Sequence, residues 1–191
     1  MRNAKKLLLS VLLTALSAVL LCGCLGGGAA SLSVDLDGMS IHIGDKGTAV
    51  FDAGYKIDKV TDSNPKIPGK SYTAEFYSIS KDSKKTGVSV CFANYSTNKK
   101  PAKECSIYEI RIACTGTKAA VNGVALSGMS PSDAVTNFTN WGFKFDEADI
   151  KAFQDAETYY LSGKKGNYKV QLQSPSGKPD VLSSIKIEKK V

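Results

Sequence analysis

Residues 123–146, GVALSGMSPSDAVTNFTNWGFKFD, decide how this chain is read. Ser130 stands where a helix needs an N-cap, Pro131 at the first helical position and Asp133 at the third. A serine oxygen accepts a bond from a free N–H of the first turn, proline gives up a donor that has no partner there, and an acid favours the positive helix end. Ala134, Val135, Phe138 and Trp141 then recur on one face, with Thr136, Asn137 and Asn140 on the other. Gly142 suits the left-handed position that closes a helix. The stretch predicts one amphipathic helix whose apolar side needs a partner.

The same order of residues occurs earlier, at 38–58, GMSIHIGDKGTAVFDAGYKID. Asp45 is the expected cap, Ala49, Val50 and Ala53 the apolar face, and Gly54 the stop, in a helix shortened and weakened by Gly47. Both copies close on Gly-aromatic-Lys-apolar-Asp, at Gly54–Asp58 and Gly142–Asp146. Strand material follows each. Residues 72–80, 88–95 and 107–113 alternate in the first copy, and 158–162, 168–173 and 182–188 in the second. Val88, Val90 and Phe92 point one way, while Ser89, Cys91 and Ala93 point the other. This pattern predicts an α+β chain of two tandem units, residues 33–115 and 116–191, each a helix packed on a three- to four-stranded antiparallel sheet. Residues 146–155 add a short second helix.

The stretch Gly128-Met129-Ser130-Pro131-Ser132-Asp133-Ala134-Val135, closed by Trp141-Gly142 and followed by a meander, resembles the beta-lactamase-inhibitor-protein (BLIP) fold. The outer-membrane assembly lipoprotein BamE shares that unit. The resemblance covers most of residues 38–189 and departs from the motif where Ala134 separates Asp133 from Val135, and in the degenerate first copy. It implies tandem units and an exposed sheet face that docks another protein. It transfers no binding residue, because the family has no fixed site motif.

Toward the N-terminus the sequence changes character. Arg2, Lys5 and Lys6 precede an apolar run, Leu7 to Leu21, which meets Leu21-Cys22-Gly23-Cys24. A basic head, a short apolar run and a small residue before a cut describe an export signal, residues 1–23. The run is shorter than the roughly 20 residues that span a bilayer. Leu-x-Gly-Cys resembles the lipobox of bacterial lipoproteins, which implies a diacylglycerol on Cys24 and an anchor at the extracytoplasmic face of the cell membrane. Residues 24–32 read as a flexible tether.

Composition narrows the functional classes. The full chain carries 25 Lys+Arg against 18 Asp+Glu. Three of the basic residues lie in the signal, so the remainder is mildly basic and lacks a basic block. Nucleic acid is not an expected partner. Three cysteines remain beyond Cys24, namely Cys91, Cys105 and Cys114, without a CxxC pair. A hairpin centred near residue 100 sets Val90 opposite Ile110 and Cys91 opposite Glu109. Cys105 then falls about 13 Å along the strand from Cys91, beyond disulfide reach, so free thiols are expected.

His42, the only histidine, alternates within Ile41-His42-Ile43 and reads as a surface-facing strand residue. No phosphate loop, nucleophile elbow or calcium loop occurs. The expectation is a non-catalytic module without metal or cofactor that binds an envelope or secreted protein. The alternative is a binder of small ligands or peptides. Candidate contact residues are Glu109 and Arg111 in the first unit, and Lys169, Gln171 and Lys186 in the second.

Overall fold

The computed structural model describes residues 32–58, 65–155, 157–175 and 180–190. The signal, Cys24, residues 24–31 of the tether and the turn expected at Ser176-Gly177-Lys178 lie outside the described residues. Ser31–Val191 form one compact unit.

Among the described residues the fold is mostly strand, at 44% against 17% helix. Fourteen strands run in chain order as β1 (Ser33–Leu36), β2 (Met39–His42), β3 (Lys56–Asp58), β4 (Lys66–Ile67), β5 (Ser71–Tyr72), β6 (Tyr77–Lys81), β7 (Lys84–Asn94), β8 (Lys100–Pro101), β9 (Ser106–Ala113), β10 (Ala120–Val121), β11 (Val124–Ala125), β12 (Tyr160–Lys165), β13 (Tyr168–Gln173) and β14 (Ser184–Lys189). Three α-helices interrupt them: α1 (Thr48–Phe51), α2 (Pro131–Asn140) and α3 (Glu147–Gln154).

The expected pair of helix-on-sheet units does not form. One antiparallel sheet runs β12-β13-β14-β9-β7-β6-β3, with β5 added beside β7. The seam is β14 against β9, where Ile185 faces Ile112 and Ile187 faces Ile110. Both meanders present aliphatic residues with the same alternation, so pairing them edge to edge puts ten side chains on one face. These are Ile79, Val88, Val90, Ile110, Ile112, Leu161, Val170, Leu172, Ile185 and Ile187, each at most 1% exposed. Burial of each contributes about 1.5–3 kcal/mol. Two separate small sheets would leave two edges bare at β9 and β14, and joining them satisfies both.

A second sheet, β11-β10-β1-β2, is made of two hairpins that the sequence reading missed. Val34 of β1 sits between Val121 and Ile41. Residues of this sheet and of the helices share one core cluster with the buried side of the large sheet.

The helices follow their sequences unevenly. Ser130 Oγ accepts from the Asp133 N–H, and Pro131, Ala134, Val135 and Phe138 of α2 are buried. Gly142 then closes the helix at φ +88°. Phe138 stacks edge-on against Trp141 and Phe143, with centroids 4.9 and 5.5 Å apart. The short helix expected at 146–155 is α3, capped by the Asp146 carboxylate.

The first copy departs. Asp45 caps nothing; its carboxylate accepts from the His42 backbone N–H and lies 3.2 Å from His42 Nδ1. Helix α1 is a single turn, and Gly47, at its N-cap, answers a tertiary need. A Cβ there would lie 2.4 Å from the Ala102 carbonyl oxygen.

Candidate functional site

The large sheet buries one face and presents the other. Alternation in β13, β14 and residues 109–113 of β9 sends every second residue outward, and the register aligns these residues into rows across the strands. One row reads Ser162, Gln171, Lys186, Arg111, Ser89 and Ser78. The next reads Lys164, Lys169, Glu188, Glu109 and Cys91. All five residues expected from the sequence as surface contacts therefore fall in two adjacent rows of one sheet, across the β13-β14-β9 seam. With strands about 4.8 Å apart, Gln171, Lys186 and Arg111 span only about 10 Å.

The patch is electrostatically linked. Lys186 Nζ lies 3.0 Å from Glu188 Oε2 and 3.6 Å from Glu109 Oε1. Lys169 Nζ lies 3.6 Å from Glu188 Oε1. Burial raises the Glu109 carboxyl above its ordinary value, and the Lys186 ammonium partly opposes that shift. Arg111 is exposed and lies over the Phe76 ring, 4.6 Å from its centroid.

Aromatic groups that the sequence reading missed flank the charges. Tyr72 pairs with Ala93 on the outward side, is 65% exposed, and tilts against Tyr108 at 5.6 Å. The Tyr108 hydroxyl donates to the Thr73 carbonyl at 2.9 Å, and burial raises its pKa. Tyr160, half exposed, stands at the far side beside Gln173.

Tyr108 was hidden by a bulge. Val90 faces Ile110 and Cys91 faces Glu109 as expected, but Phe92 then faces Ile107. One extra residue on β9 breaks the alternation there. The signal was present in Ile107-Tyr108-Glu109-Ile110, where the isoleucines are three apart instead of two.

The thiols are buried and free. Cys91 lies on the outward side but under the chain at 73–76, and its thiol donates to the Glu75 carbonyl at 3.3 Å. Burial, reinforced by the Glu109 charge, pushes its pKa up to about 11. Burial alone pushes Cys114 up to about 12. Thiols so shifted are protonated at neutral pH and are poor nucleophiles. His42 is half-buried against Asp45. Among the described residues no three His, Cys, Asp or Glu side chains cluster as a metal site would need. No helix among them is long and apolar enough to cross a membrane. No protein family, curated protein or solved structure matches this chain.

Proposed function

We propose that this chain is a membrane-anchored extracytoplasmic lipoprotein that binds another protein, without catalysis, through the outward face of its large sheet. One observation carries the reading: Lys186, Glu109, Glu188 and Lys169 form an ion-paired cluster beside Arg111, which lies over the Phe76 ring, with Tyr72 and Tyr108 at its flank. Arginine and tyrosine anchor protein interfaces more often than other residues, because each offers a large rigid surface with a polar end. Charges of both signs held in fixed rows, with Lys186 beside Arg111 and Glu188 beside Glu109, select partners of complementary charge and disfavour the rest. The partner class is an envelope or secreted protein. The lipobox-like Leu21–Cys24 supports a location beside such proteins.

The test uses the full chain in its own cell envelope. A photo-crosslinking residue replaces Gln171 in one version and Thr139, on the exposed side of α2, in another. The expected result is a discrete adduct from position 171 only, abolished by Arg111→Glu. Equal adducts at both positions, or an adduct unaffected by Arg111→Glu, would overturn the docking reading. Cys24→Ser tests the anchor separately: the chain should lose its lipid mass and leave the membrane fraction.

A further inference from the structure

A cavity of about 300 Å³ lies away from the charge lattice, beside the β6–β7 hairpin. That volume is at the small end of the range for ligand sites. Lys81, Lys84, Lys85 and Lys118 line it against two aspartates, Asp37 and Asp82, which leaves an excess of two positive charges. Lys81 is held over the Tyr55 ring, 4.8 Å from its centroid. Tyr55 is itself fixed, buried to 3% exposure with its hydroxyl donating to the Asp37 carbonyl. Lys84, Lys85 and Lys118 have no ion-pair partner among the described residues.

The lysines are positioned by the fold. The loop bearing Lys118 is pinned to β7, because the Thr117 hydroxyl donates to the Thr86 carbonyl at 2.9 Å. The Ala119 N–H donates back to the same Thr117 oxygen.

The hairpin itself is built at a cost. Lys81 and Lys84 are direct cross-strand partners, a like-charge pair that opposes the pairing. The two turn residues, Asp82 and Ser83, are both left-handed, at φ 51° and 62°. Turns of this kind prefer glycine, and Ser83 carries a Cβ into the second position. A hairpin that keeps both a like-charge pair and a strained non-glycine turn is more stable with a counter-charge in place. Strain of this kind gathers at functional sites.

We propose that this cavity binds a phosphate-bearing ligand, with Lys81, Lys84 and Lys118 neutralising the phosphate and Tyr55 and Leu36 contacting its apolar part. Ammonium groups serve as point charges for phosphate oxygens, and three on separate backbone positions surround one better than a single arginine fork does. The site is separate from the docking face, and it stands or falls independently of it. Phosphate reaches an exported protein as a soluble ester or as a lipid headgroup, and the test separates the two.

The full chain is titrated calorimetrically with inorganic pyrophosphate, alone and with vesicles of phosphatidylglycerol or phosphatidylcholine. We expect saturable one-to-one binding, weakened about tenfold or more in the double variant Lys84→Gln with Lys118→Gln, since charge-assisted bonds are lost. The control, Lys66→Gln with Lys151→Gln, removes two exposed lysines elsewhere and should bind as the parent does. Lys84→Gln alone should melt no lower than the parent, because it relieves the pair with Lys81. Displacement of pyrophosphate by phosphatidylglycerol but not phosphatidylcholine supports the site and assigns it to a headgroup. Displacement by neither supports it and assigns it to a soluble ester. Absence of saturable binding, or equal weakening in the two double variants, overturns the proposal.

Discussion

The two faces of the large sheet are made by the same strands and differ in almost every other respect. On the covered side, Ile110 and Ile112 of β9 and Ile185 and Ile187 of β14 are sealed from water. On the other side, one residue along, exposed Arg111 and half-buried Lys186 and Glu188 surround Glu109, which is 8% exposed. A residue's neighbours in sequence therefore say little about its work here, and its parity along the strand says nearly everything. Stability is concentrated on one face, which leaves the other free to carry recognition.

That division can be broken by substitutions of graded effect. Phe138→Ala, on the buried face of α2, should cost about 3–5 kcal/mol in urea unfolding, because a fully buried ring leaves a cavity. Gly163→Ala should cost about 1–3 kcal/mol, since the new Cβ would meet the Phe145 ring at 2.5 Å. On the outward side, Lys186→Ala should cost about 1–3 kcal/mol, because it leaves the buried Glu109 carboxylate without its counter-charge. A loss at Lys186 as large as that at Phe138 would mean that the lattice holds the sheet together, and the contrast between the faces would fail.

The finest probe is pH. Burial raises the Glu109 carboxyl above its ordinary value of 4.5. Between that value and the raised one, the folded chain keeps a proton that the unfolded chain has released. The Glu109 contribution to stability therefore falls as pH rises through this window, and the penalty persists above it. Urea unfolding from pH 4 to pH 7 should show that slope in the parent and a flatter profile in Glu109→Gln. Identical profiles would mean that Lys186 and water fully compensate the buried carboxylate.

Legibility from sequence tracked the range of the interactions. Helix α2 was readable from Ser130 to Gly142 because its cap, apolar face and stop are all local. The register of Cys91 with Glu109 was readable because a single hairpin sets it. The β9–β14 seam left no local mark, since its partners are distant in the chain, and so one sheet was read as two. Gly47 reads in the sequence as a weakness of its helix, although its reason is the backbone of Ala102 pressing close. Asp45 looked like a cap but serves His42, because the chain turns between β2 and α1. The five residues read as surface contacts share one face of the sheet because parity alone puts them there. The aromatic flank was missed because Tyr108 sits at a bulge and Tyr72 on a two-residue strand.

The position of β14 also has a consequence in time. It follows every other strand in the chain, yet it fills the middle of the sheet, between β9 and β13. A chain made from its N-terminus completes β9 about 70 residues before β14 exists, roughly 4–14 s of synthesis at ordinary elongation rates. Throughout that interval the β9 edge is a bare template beside Ile110 and Ile112, able to pair with any passing strand. Under the proposed export, the chain is safest crossing the membrane unfolded and closing its sheet only after β14 has emerged on the far side.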